Sequence, residues 1–446
     1  MFQRVELPLW LLILILVFAA VAFLSHFLFP SVRWFLRRRM ERAVEELNKR
    51  LERPIQPFKL MRRHDQIIRL VYDPKVMQAV ADYARDEKIP RSVAFERARS
   101  YAREIVPSFS TATYFGFAIR VARGLSRLFY EVRLGPAEAR TLRGIDPKSA
   151  VVFVMNHRSN MDYVLVTWLV SERSAISYAV GEWAQVWPLS WLIRSMGAYF
   201  IRRRYSSALY RAVLARYVQM SIAEGVTQAI FPEGGLSLDG RIGPAKLGLL
   251  SYVVEGWTPA ERDVIFVPVG LAYDRVLEDR VLVEAAAAGT RRFRNRPLWV
   301  AFHAARFLWQ RWRGQTKGFG TAAAGFGSPV SLRAFMAEGH AAPVEALGQR
   351  LMERITGVVP VLPVPLVAAA LGQGAASRND LLMRVQALTG RLAAAGAVMH
   401  LPEDPAAALE EGLAPLIARG VVTSDLQPVP SGAALLAFYA ASVPAV

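Results

Sequence analysis

Five short apolar runs, each ending in a polar turn and separated by helical patterns, constrain this chain more than any other feature. "AVVFVMNH" starts the set at Ala150, and "AISYAVGE", "GAYFIRR", "TQAIFPEGG" and "DVIFVPVGLAYD" follow it. Between them lie patterns of helical spacing such as "SSALYRAVLARYVQMSIAEG". β-Branched and aromatic runs of this length favour strands, and strand–helix alternation makes an α/β core. "TKGFGTAAAGFGSPVSL" predicts one or two further strands. Such folds place their sites where strands end, so the turn after each run is searched first.

The flanks are different in texture. Residues 1–30 predict a transmembrane anchor, because the run Leu9–Leu24 is apolar and no formal charge occurs from Leu7 to Phe29. As a helix that stretch measures about 34 Å, enough to span a bilayer. A cleaved leader is the alternative, with Ala20-Val21-Ala22 as its processing site, but the run is long and Glu6 weakens the leader. Arg33, Arg37, Arg38, Arg39 and Arg42 follow the run and only Arg4 precedes it. The positive-inside rule then predicts an inner-membrane protein with its catalytic body in the cytoplasm. Residues 31–130 read as a helical N-terminal region, with a helical hairpin over 74–105 broken at Pro90. The stretch with Arg120, Arg123 and Arg127 among aromatics reads equally as an interfacial helix or a core helix with snorkelling arginines. Residues 131–345 form the predicted core. Residues 346–446 read as a helical C-terminal region whose last apolar helix, "ALLAFYAASV", is expected to pack on the N-terminal helices.

Net charge is +18, which calls for an anionic partner. In a tethered protein the economical one is the headgroup layer of anionic lipids; no nucleic-acid motif occurs. The chain has no cysteine, which removes disulfides, thiolate metal sites and a Cys nucleophile. No G-x-S-x-G elbow and no H-E-x-x-H occur, so neither a covalent acyl-enzyme nor a metal site is suggested.

The strand ends hold the candidate residues. "NHRSNMD" sets His157 five positions before Asp162, with Arg158 and Ser159 between. On one helix these side chains would diverge by about 140°. They meet only if His157 lies in the turn and Asp162 in the first helical turn, capped by Ser159 or Asn160. Asp162 would then fix one ring nitrogen while the other takes a proton. Arg202 and Arg203 close the third run, and arginine forks match phosphate oxygens. "FPEGGLSLDGR" offers Gly234 and Gly235 for close backbone approach to an anion and Ser237 as a donor; Lys246 follows. Glu233 suits holding an arginine or bonding a substrate hydroxyl. Pro268 interrupts "FVPVGLAYD" and predicts an edge, a bulge or a special turn.

These four blocks in this order resemble the glycerolipid acyltransferase superfamily, over about residues 145–275. Their detail resembles its glycerol-3-phosphate 1-O-acyltransferase branch, as do "RLVYDPKVMQAV" and "ALLAFYAASV". The resemblance implies an acyltransferase-type αβ core with a mixed sheet. It implies His157 as base, Asp162 as its orienting carboxylate, and Arg202, Arg203, Gly234 and Ser237 around glycerol phosphate. Glu233 would position that substrate and Pro268 would shape the acyl-donor side. It implies an acyl thioester co-substrate, acyl-CoA or acyl-ACP, and no further cofactor. One position departs from the branch: Leu236 stands where an arginine is usual. A lysophosphatidate or other lysophospholipid acceptor is therefore the alternative, and a membrane-tethered non-catalytic basic scaffold is the alternative from another class.

Overall fold

The structure is a computed structural model describing residues 8–134, 144–171, 174–181, 185, 187, 189–202, 207–290 and 318–444, without the side chains of 18–34, 36, 37 and 40. It has two compact units, Met1–Pro54 and Ile55–Val446. The first is one continuous helix, Leu9–Arg50, with no break between the expected anchor and the basic stretch after it. Leu9, Trp10 and Leu12 to Val17 are exposed on it. Among the described residues, no helix is long and apolar enough to cross a membrane. Residues 1–7 of the expected anchor lie outside them, as do the side chains of 18–30. The predicted segments 131–345 and 346–446 both fall inside the second unit.

That unit is built on an eight-stranded mixed sheet. Its strands are β1 (Glu131–Leu134), β2 (Ala150–Met155), β3 (Ser177–Gly181), β4 (Tyr199–Ile201), β5 (Gln228–Ile230), β6 (Val264–Tyr273), β7 (Thr321–Phe326) and β8 (Val330–Ser331). The order is β1-β7-β6-β2-β5-β3-β4, with β8 also on β6. β2 lies between β5 and β6 and is parallel to both. β7 and β8 run antiparallel to β6.

All of β2 is buried, so both faces of the sheet are covered. Val151, Phe153 and Met155 enter one core; Ala150, Val152 and Val154 enter the other. The second core receives the N-terminal helices Arg63–Val71, Pro74–Asp86 and Arg91–Ile105, the last two forming the expected hairpin around Pro90. The first core receives the C-terminal helices Pro363–Leu371, Arg378–Ala394, Pro405–Ala418 and Ala433–Ala440. The closing helix therefore does not pack on the N-terminal helices. Their apolar stripes are already spent on the opposite face of the sheet, and Leu435, Leu436, Phe438 and Tyr439 fill the first core instead.

Pro268 corrects its expectation too. It sits in a central strand, opposite Val154 of β2. Its carbonyl accepts a bond from Gly327 N, so its missing N–H would point the same way, toward the β7–β8 side. There β6 changes partner, from β8 at Ile265 and Phe266 to β7 from Val269 onward. The proline occupies the one gap in that ladder where no donor is required.

Candidate active site

β2 ends at Met155, and the chain turns through 156–160 into the helix Met161–Val170. Asn156 secures the turn to the sheet. Its amide donates to Leu271 O at 3.0 Å and its carbonyl accepts from Leu271 N at 2.7 Å, imitating one more residue of β2 beside β6. His157 and Asp162 then face each other across the turn, Nδ1 to Oδ2 at 2.8 Å, and both are buried. The same Oδ2 accepts from Arg158 N at 2.8 Å and Ser159 N at 3.0 Å. Those groups can only donate, so Oδ2 accepts from the ring as well. The ring proton sits on Nδ1, which leaves Nε2 as the acceptor.

Asp162 also does the capping work expected of its neighbours, by turning back onto the backbone of the turn. Ser159 Oγ accepts from Met161 N at 3.1 Å, while Asn160, at the N-cap, makes no side-chain cap bond. Phe231 stacks on the imidazole, with centroids 4.2 Å apart and planes 24° apart, and Tyr163 meets its edge. The ring has little rotational freedom.

The third block wraps the histidine's backbone. Glu233 accepts from His157 N at 2.8 Å through one oxygen and from Gly243 N at 3.0 Å through the other. Ser237 N donates to His157 O at 2.9 Å. Glu233 is thus a clasp between two loops; neither oxygen bonds an arginine. Burial raises its carboxyl, against the pull of the two N–H groups. The Ser237 hydroxyl is also committed, to Arg241 O at 2.7 Å. Gly234 has φ +66°, which favours glycine, and the Lys246 side chain lies over it, 2.7 Å from where a Cβ would be. Gly235 follows, half-buried. Leu236 packs against the first core. Arg158, buried, donates to Gly240 O and, at 3.4 Å, to Ser442 O of the C-terminal region.

Arg202 is not brought to this cluster. It ends β4, three strand spacings or about 14 Å across the sheet from β2. Its guanidinium pairs with Glu104 of the N-terminal hairpin, Nη2 to Oε2 at 2.5 Å and Nε to Oε1 at 2.9 Å. Arg203 lies outside the described residues.

Two residues at the site carry no local motif. Tyr273, the last residue of β6, donates to Asp162 Oδ1 at 2.7 Å. Burial and then the Asp162 charge push its hydroxyl well above the ordinary phenol range, so it stays a donor. Glu278 accepts from Ser159 Oγ at 2.7 Å through Oε2, and from Asn160 N at 3.2 Å and Nδ2 at 2.9 Å through Oε1. Both follow from one topological fact: β6 outruns β2, whose last paired residue, Met155, meets Val269.

A buried His–Asp pair at the end of a parallel strand, in an α/β fold with a mixed sheet, is an arrangement suited to deprotonating a substrate hydroxyl. Residues 137–272 match the family model described as Acyltransferase, and residues 306–439 match the Glycerol-3-phosphate acyltransferase C-terminal region. The glycerol-3-phosphate acyltransferase of Pseudomonas entomophila is 27% identical over 386 residues, covering 82% of this chain and 45% of that protein. That of Pseudomonas putida is 28% identical over 366 residues, covering 77% and 42%. The chain spans less than half the length of these curated relatives. The crystal structure of the 1-acyl-sn-glycerophosphate (LPA) acyltransferase from Thermotoga maritima covers 65% of this chain and 96% of its own, at 18% identity and a TM-score of 0.33, too distant to inform the site. The chain is thus similar to glycerol-3-phosphate acyltransferases over most of its length.

Proposed function

We propose that the protein is a membrane-bound acyltransferase. It moves a fatty acyl group from an acyl thioester, acyl-CoA or acyl-ACP, to the sn-1 hydroxyl of glycerol 3-phosphate and releases lysophosphatidate. The observation that carries this reading is the His157–Asp162 contact at 2.8 Å, with Nε2 left as the acceptor. Nε2 takes the proton of the substrate hydroxyl, and that oxygen attacks the thioester carbonyl. The tetrahedral intermediate collapses, the C–S bond breaks, and the imidazolium returns its proton to the leaving thiolate. Asp162 stabilises the imidazolium while it exists. No covalent acyl-enzyme is involved.

The relatives' names support glycerol 3-phosphate as acceptor. Lys246, whose side chain lies over Gly234, is the cation assigned to its phosphate, with Arg241 and Arg203 beside it in the assignment. Leu236 favours a second reading, a lysophospholipid acceptor, because it packs into the core where the branch carries an arginine. The apolar run Leu9–Leu24, with five arginines after it, supports an inner-membrane anchor and a cytoplasmic body. The charge of +18 supports contact with anionic headgroups.

One assay tests the reading. Purified protein in detergent is given acyl-CoA or acyl-ACP with labelled glycerol 3-phosphate or lysophosphatidate. Lysophosphatidate formation is expected, and acylation of the second acceptor alone would overturn it. His157→Ala and Asp162→Asn should each lose roughly 10²–10⁴-fold in kcat; full activity in His157→Ala would refute the mechanism.

A further inference from the structure

The geometry points to Glu278 as a positioning residue that sets the catalytic turn, and to the C-terminal helical region as the brace that sets Glu278. This rests on the acyltransferase reading of the His157–Asp162 pair.

Glu278 is half-buried and spends both oxygens on two consecutive residues of the turn, Ser159 and Asn160. Ser159 N and Arg158 N in turn donate to Asp162 Oδ2, the atom that holds the imidazole. A displacement of Glu278 therefore moves the two amides that aim the carboxylate. The carboxylate does not bond His157 or Asp162 itself, so its action runs through the backbone of the turn.

The next residue ties Glu278 to the C-terminal region. Asp279 is buried at the start of the helix Asp279–Ala287 and accepts from the Tyr439 hydroxyl. It also pairs with Arg419 Nη2 at 2.6 Å. Arg419 Nη1 donates to Tyr439 Oη at 3.2 Å, and Tyr439 Oη accepts from Val276 N at 3.1 Å. One tyrosine thus holds the chain on either side of Glu278, through the Val276 backbone N–H and the Asp279 carboxylate. Arg419 and Tyr439 lie in the part of the chain matched by the C-terminal family model, which gives that region a defined task at the site.

The turn's own residues supply only part of the hold, through Asp162 Oδ2 and Ser159 Oγ. The N-cap residue Asn160 makes no side-chain cap bond of its own and turns to Glu278 instead.

The test uses the full chain and whichever acceptor the wild type acylates, so a wrong acceptor assignment is separated from a wrong role for Glu278. Three variants are compared: Glu278→Gln, Glu278→Asp and Glu278→Ala. Glutamine keeps the length and can still engage Ser159 and Asn160; aspartate keeps the charge but is one carbon short. A positioning role predicts glutamine within about threefold of wild-type kcat, and aspartate and alanine lowered about 100-fold, as expected for a misplacement of about 1 Å. KM for both substrates stays within about threefold. A group acting by its charge would give the reverse order, with aspartate active and glutamine impaired, and would overturn the proposal. So would a raised KM at unchanged kcat. Should alanine fail to fold, the glutamine–aspartate contrast decides alone. Tyr439→Phe should lower kcat about tenfold in the wild type. It should add less than twofold in Glu278→Asp, because both act through one link. Multiplicative losses would overturn the brace.

Discussion

Tyr273 Oη donates to Asp162 Oδ1 at 2.7 Å, from the tip of the strand that overhangs the catalytic turn. The carboxylate is thereby divided: Oδ2 serves the imidazole and the turn, and Oδ1 answers to the sheet. The orientation of Asp162 is set by two different elements, so it does not depend on the turn alone.

Tyr273→Phe removes that second hold without emptying the core. Asp162 Oδ1 would be left buried without this donor, at a cost of about 1–3 kcal/mol in stability. A loss of about 1.4 kcal/mol in the transition state is a tenfold fall in kcat. The expectation is a lower melting midpoint and about tenfold lower kcat, with KM unchanged. Steady-state kinetics on purified variant and wild type measure it. An unchanged kcat would mean that Oδ2 alone aims the ring.

A pH effect on stability should come from Asp274, directly after Tyr273. It is fully buried, accepting from Val364 N at 3.0 Å and Thr321 N at 2.7 Å. Burial raises its carboxyl from 3.8 to about 6, against the pull of those two N–H groups. The folded state thus holds this proton more tightly than the unfolded state. The associated stabilisation is complete below about pH 4 and is lost as pH rises through about 6, by on the order of 3 kcal/mol. Thermal melts of wild type and Asp274→Asn across pH 4 to 7 isolate it. The wild type should lose stability relative to the variant as pH rises, and a flat difference would rule the effect out.

What the sequence shows and what it hides differ by distance along the chain. The strands and the 74–105 hairpin declare themselves because a continuous apolar run and a helical period are both local signals. The His157–Asp162 meeting is legible for the same reason: five residues can close only across a turn. Glu278 is hidden, because no local pattern singles it out and its partner Ser159 lies 119 residues earlier. Its position just past a strand was the available signal, and it needs the knowledge that β6 lies beside β2. Arg202 misleads in the opposite sense. It reads as a free phosphate fork, but its partner Glu104 is 98 residues away on another element. Pro268 reads as an edge, a bulge or a special turn because the gap it fills is made by β7 and β8, neither of which is local to it.

The third-block loop and the C-terminal region also meet at Gly240, and this contact is tight enough to test on its own. Gly240 has φ +85°, and an added Cβ would lie 1.9 Å from Phe438 O and 2.8 Å from Phe438 C. The obstacle is backbone, so it cannot rotate away as a side chain would. Gly240→Ala should therefore cost at least about 2 kcal/mol, from the left-handed conformation and the overlap together. Gly396→Ala is the control: its φ is +75°, but nothing lies within 4 Å of the added atom. It should show the conformational cost alone, about 1 kcal/mol. Activity should separate the pair further. The Gly240 carbonyl accepts from the buried Arg158 guanidinium, next to His157, so a shift of this loop reaches the turn. Denaturant melts and kcat of the two variants side by side give the result. Equal losses of stability would mean that the Phe438 backbone yields freely, and the C-terminal region would then not hold the third block in place.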